Sequence, residues 1–186
     1  MAVFNETRRT GVIANVGLTG AVAITIVMIA ALAIQSTLLP LATLLGVIPQ
    51  VVFVVVVSFA YLNGERVGIV TGFVGGLLMD LLIPGAPVGV NAMLFVLIAY
   101  GVARFRYLTP SESVWTPVFV VVVGSAIAEF GYAVLQIMFG QPWISLADTA
   151  KVAGLVVLYN TLLTPFVYPL VRRVSDRFGP GRADAW

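Results

Sequence analysis

Cysteine and histidine are both missing from this chain of 186 residues. Their absence excludes disulfides, thiolate nucleophiles, imidazole bases and the usual zinc and haem ligands together. No cofactor and no metal is therefore expected. Charge is scarce as well, at 10% of residues against about 25% in an average soluble domain. Lysine occurs once, as Lys151. No Gly-Lys-Ser/Thr phosphate loop is present, so the chain is not expected to hydrolyse nucleotide. Low-complexity tracts, a clear internal repeat and any loop long enough to fold alone are also lacking.

What fills the chain instead is apolar: 60% of residues are hydrophobic, and the mean hydropathy is +1.07. A compact soluble domain of this size still exposes roughly a third of the surface of its unfolded chain, so water cannot be the main solvent. The composition implies an integral membrane protein. A formal charge of +2 does not point to nucleic acid, because the basic residues sit at the ends of apolar runs, where they set orientation.

A bilayer core about 30 Å thick calls for ~20 apolar residues per helix. Six runs approach that length, at 12–35, 47–63, 67–83, 88–104, 115–139 and 151–171. The first is preceded by Arg8 and Arg9 but is longer than the ~7–15 residues of a signal-peptide core, and it reads as an uncleaved helix. The stretch from Ser36 to Gln50 holds Pro40, Gly46 and Pro49, which suit a short interfacial helix or a kinked start to the second span.

Six crossings from a cytoplasmic N-terminus put Arg8, Arg9, Arg66, Arg104, Arg106, Arg172, Arg173, Arg177 and Arg182 inside and only Lys151 outside. That bias matches the rule that governs insertion, and both termini are expected in the cytoplasm. The expected architecture is an all-α six-transmembrane-helix bundle. It forms a single transmembrane domain over 1–186, with short cytoplasmic tails at about 1–11 and 172–186.

The third span carries Gly68, Gly72 and Gly76 at every fourth position, with Gly75 beside them and Asp80 continuing the stripe. Small residues four apart let two helices approach closely in lipid. The neighbour is either another helix of the same bundle or the helix of a partner protein.

A carboxylate at bilayer depth costs at least ~2.5–3.5 kcal/mol on insertion scales, so it should face the bundle interior. Asp80 lies near the outer end of its span, as does Lys151, and a pair between them is one expectation. Glu129 lies deeper, with Ser125, Tyr132 and Gln136 on the same helix face. Asn160 and Thr164 in the sixth span, Asn91 at the start of the fourth and Gln35 at the end of the first complete a polar set in the outer half. Either these groups satisfy one another and hold the helices in register, or they line a cavity or seat for a ligand or partner. Asp80 and Glu129 differ too much in depth to share one scissile bond, so enzymatic hydrolysis is not expected.

The segments "LAIQSTLLP" (32–40), "GFVGGLLMDLL" (72–82), "GVNAML" (89–94) and "LYNTLLTPFVYPLVRR" (158–173) occur in an order that resembles the rod shape-determining protein MreD family. The resemblance implies a non-enzymatic component of the bacterial inner membrane that serves lateral cell-wall synthesis. Its implied partners are an MreC-like single-span protein, RodA, a class B penicillin-binding protein and the MreB filament, besides the lipid itself.

It also implies a fold similar to the S components of energy-coupling-factor vitamin transporters, and it places Gln35, Asp80, Asn91 and Asn160 in the family's recurring segments. The chain departs from the pattern at Pro49-Gln50, where proline followed by aspartate is expected. A rival reading is a solute-binding subunit of the S-component type. Tyr100, Tyr132 and Tyr159 would then line a pocket, but the first span reads Gly17, Ala21, Thr25 and lacks alanines four apart for a coupling protein.

Overall fold

The computed structural model describes residues 18–43, 46–82, 87–108, 115–140 and 145–178. Six α-helices follow one another: α1 (Leu18–Thr37), α2 (Val51–Asn63), α3 (Glu65–Leu82), α4 (Val90–Phe105), α5 (Trp115–Met138) and α6 (Leu146–Phe178). Short 3-10 turns at Leu39–Ala42 and Arg106–Leu108 follow α1 and α4. The expected start of the first span at 12–17 and the inner-face residues Arg8, Arg9 and Arg182 lie outside the described residues.

Four of these helices, or segments beginning with them, are long and apolar enough to cross a membrane: Leu18–Thr37, Val90–Leu108, Trp115–Met138 and Leu146–Phe178. The chain is thus a multi-pass, all-helical membrane protein. The second expected span, 47–63, is corrected. Residues 47–50 are not helical, and α2 has only 13 residues, or about 20 Å of rise, short of a bilayer core. The sixth is longer than expected, because α6 runs for 33 residues, about 50 Å, with Pro165 and Pro169 inside it.

The short helix is also the central one. Every residue from Val51 to Tyr61 is buried, and a helix that is apolar on all sides needs neighbours on all sides. α3, α4, α5, α6 and α1 all pack against α2. Phe53 meets Phe95 of α4 edge to face at 5.1 Å between ring centroids. On α5, Gly124 gives room to Phe53 and to Ile98 of α4.

Helices adjacent in sequence run in opposite directions. Gly68 of α3 faces Ala60 of α2 and Ala99 of α4, Gly72 faces Phe95, and Gly76 faces Ala92. Each turn forward on α3 therefore meets one turn back on α4. α2 and α6 run in the same direction, because Gln50 meets Asn160 near one end and Asn63 meets Ser175 at the other. The described ends of the chain, Leu18 and Phe178, line one common groove.

The glycine stripe is filled from within. A side chain at Gly72 would stand 2.9 Å from the carbonyl oxygen of Phe95, and one at Gly76 would strike the Ala92 backbone. One at Gly75 would meet Met28 of α1 and Val56 of α2. All four glycines are buried. Of the two neighbours expected for Gly68, Gly72, Gly75 and Gly76, a partner's helix is corrected to helices of the same bundle: α1, α2 and α4 already occupy that face, and backbone contact in lipid rewards such close approach.

Candidate functional site

The alternating directions gather the deep polar side chains at one end of the bundle and most of the charges at the other. At the charged end Glu65 and Arg104 pair at 3.1 Å. Arg106 donates to the Leu62 carbonyl at 2.8 Å, and the Ser175 hydroxyl donates to Asn63 Oδ1 at 2.7 Å. These contacts close the tight turn at Gly64, whose φ of +84° suits glycine alone.

At the opposite end, Asp80 is 1% exposed and sits at the start of α4. Its Oδ2 accepts from the backbone N–H groups of Gly89 at 2.9 Å and Ala92 at 3.2 Å, and its Oδ1 accepts from the Asn91 N–H at 3.1 Å. The Asn91 side-chain amide adds a fourth donor at 2.9 Å. A helix N-terminus leaves its first N–H groups without intrahelical partners and carries partial positive charge. Asp80 caps α4 from another helix. Gly89, at φ +105°, turns its N–H toward the carboxylate, a conformation that side-chain-bearing residues rarely adopt.

This corrects the expected Asp80–Lys151 pair. Lys151 is exposed, and the ion pairs among the described residues are Arg104–Glu65 and Arg172–Asp176. Four hydrogen bonds, three of them from backbone N–H groups at a helix N-terminus, satisfy the carboxylate without a lysine.

The N-terminus of α2 is held in a similar way, by neutral amides. Gln35 of α1 accepts from the Val52 N–H at 2.9 Å and donates to the sulfur of Met79. Asn160 of α6, fully buried, accepts from the Gln50 N–H at 3.0 Å and donates to the Ser125 hydroxyl at 2.9 Å. Thr164 closes on the Asn160 carbonyl at 2.7 Å. A single helix start is thus tied to α1, α5 and α6.

Glu129 enters the same network through Gln50, whose side-chain amide donates to its Oε1 at 2.7 Å. Gln50 is the residue that sequence reasoning missed. The sequence marks it only as a departure from an expected aspartate; its side chain makes no cap for α2 and reaches Glu129 on α5 instead, a contact that no local pattern signals. Two turns along α5 from Glu129, Gln136 donates to the Tyr132 hydroxyl at 2.6 Å. The carbonyl oxygens of the Gln50 and Gln136 side chains are buried without any hydrogen-bond partner.

The sequence-selected residues thus fall into connected groups: Gln35 with α2, Asp80 with Asn91, Glu129 with Gln50 and Asn160, and Gln136 with Tyr132. Lys151 joins none of them. Among the described residues no group of His, Cys, Asp and Glu is arranged to hold a metal ion. Chemically, this end is a set of interhelical ties with a surplus of acceptors.

The comparison that decides the family is a match to the family model for rod shape-determining protein MreD over residues 17–174. The chain belongs to the MreD family. Membership implies a role in rod-shape determination. Asp80 and Asn91, which tie α3 to α4, both lie within the MreD match. No curated protein and no solved structure matches the chain, so the likeness to transporter S components gains no support from a known fold.

Proposed function

We propose that this MreD-family protein is a non-enzymatic scaffold of the lateral cell-wall synthesis machinery in the bacterial inner membrane, with both termini in the cytoplasm. It seats the transmembrane helix of an MreC-like single-span protein, and through it positions RodA and a class B penicillin-binding protein relative to the MreB filament. The match over residues 17–174 carries this reading. The tied polar end supports it physically: side chains of neighbouring helices cap the starts of α2 and α4, and such ties oppose the relative helix movement that a carrier needs.

Since the glycine stripe is enclosed, the partner's helix docks on a lipid-facing surface, where exposed Phe119, Val123 and Ile127 of α5 or Leu158 and Leu162 of α6 are available. Photo-crosslinkers at Val123 and Leu162 in living cells test this. Capture of a single-span protein from one face, with loss of rod shape when that face is altered, supports the scaffold. Normal shape in cells lacking the protein would refute it.

One observation favours a second reading, a solute-binding subunit. The unpartnered amide oxygens of Gln50 and Gln136 are acceptors that a ligand's donors would satisfy. A small molecule retained by the purified protein in native mass spectrometry, and lost on Gln50→Leu, would favour it over the scaffold.

A further inference from the structure

The charged end of the bundle carries a groove that none of the interactions above employs. It lies between the start of α1 and the end of α6, encloses about 540 Å³, and is walled by Val22, Ala23 and Ile26 on one side and Val174 and Phe178 on the other. Its volume falls within the ~300–1,000 Å³ usual for ligand sites. Val22 and Ile26 are half-exposed or more, so the groove opens sideways toward the lipid.

Its rim is cationic. Val174 and Phe178 lie one turn apart on α6, and Arg173 and Arg177 precede each by one residue, so an apolar pair and a basic pair run side by side. Both arginines are exposed, and neither belongs to an ion pair among the described residues, in contrast to Arg172 with Asp176. The Arg177 guanidinium stands 5.6 Å from the centre of the Phe178 ring, which keeps the charge at the groove's edge.

Depth follows from Ser175, which lies between the two arginines and bonds Asn63 at the Gly64 turn. That turn also holds Glu65, Arg104 and Arg106. The basic pair is thus at the level of the headgroups, with the apolar walls of α1 running from there into the hydrocarbon.

An apolar trough beside two guanidinium groups that form no ion pair among the described residues fits an amphiphile with a fatty tail and an anionic head. We propose that this groove is a binding site for an anionic phospholipid of the cytoplasmic leaflet. An acyl chain lies along Val22 and Ile26, and the phosphate sits between Arg173 and Arg177. Arginine suits this task because its planar fork engages phosphate through two hydrogen bonds. A zwitterionic lipid fills the trough equally well but brings a positive group to the same rim, so the site discriminates by headgroup charge.

The leaflet rests on the proposed orientation, whereas the headgroup preference is tested apart from orientation and from the scaffold role by full-length protein in nanodiscs, which have no cytosolic side and no partner. Native mass spectrometry should show phosphatidylglycerol retained at least threefold over phosphatidylcholine. The preference should collapse in Arg173→Gln/Arg177→Gln, survive in Arg172→Gln, and fall with loss of all retained lipid in Val22→Trp, which fills the trough. Equal retention of both lipids by the unaltered protein overturns the proposal, as does a preference that persists in the double variant. A photo-crosslinker at Val22 that captures a protein or the chain's own N-terminal segment in place of lipid overturns it too.

Discussion

At the scale of single residues, the acid at position 80 shows how a carboxylate becomes tolerable in lipid without a counter-cation. Asp80 takes four hydrogen bonds from the start of α4, and its charge lies at the positive end of a helix dipole. Truncation to alanine strands three backbone donors in a buried place, so Asp80→Ala should destabilise the protein by about 1–3 kcal/mol. Asp80→Asn, which keeps one acceptor, should lose less; unfolding by increasing SDS in mixed micelles measures both. Lys151 is exposed and outside the network, so Lys151→Ala should stay within about 0.5 kcal/mol of the unaltered protein. Exchanging the two charges as Asp80→Lys with Lys151→Asp should not restore stability, and recovery in the same assay would reinstate the pair. The burial of Asp80 was legible from its place in an apolar run. Its partners were not, because backbone N–H groups carry no residue signature.

At the scale of elements, the glycines separate into two kinds. Gly72 and Gly76 let α3 touch the backbone of α4, whereas Gly101 of α4 has nothing within 4 Å of where its Cβ would lie. Adding a methyl to a full contact forces backbones apart, so Gly76→Ala should destabilise by about 1–3 kcal/mol. Gly101→Ala should be neutral or stabilising by up to about 1 kcal/mol, since alanine is the better helix former. The same unfolding assay distinguishes them, and a similar loss at both sites would mean that the Gly101 face is also occupied. The four-residue spacing made the face of the stripe legible, and helical geometry is enough for that. Which helix fills the face depends on the order in which helices pack, and spacing is silent about order.

At the scale of the whole molecule, alternating helix directions put the start of α1 and Arg173 and Arg177 of α6 at one end, and the capped starts of α2 and α4 at the other. If the charged end is cytoplasmic, reagents outside the cell should reach only the capped end. The absence of natural cysteine makes this direct. Val88→Cys, at an exposed site before α4, should be labelled by an impermeant maleimide in intact cells, and Tyr107→Cys, exposed beyond α4, only after lysis. The reverse pattern would invert the protein and remove the cytoplasmic-leaflet lipid site with it. Deletion of the gene in a rod-shaped host should give rounded cells, as family membership implies, and light microscopy reads it.

The amino-acid sequence alone determined that this is a helical membrane protein, because too few charges and too much apolar surface leave no other solvent. It also determined the number of helices, from the lengths of the runs between breakers, and which side chains are too polar to face lipid. Tertiary structure decided the rest. Only packing could show that the shortest apolar run is the centre of the bundle, since burial on every side depends on neighbours distant in sequence. Likewise, only packing could bring Gln50 between Glu129 and Asn160, or set Asp80 against the start of α4, because a hydrogen bond forms where three-dimensional distance allows it.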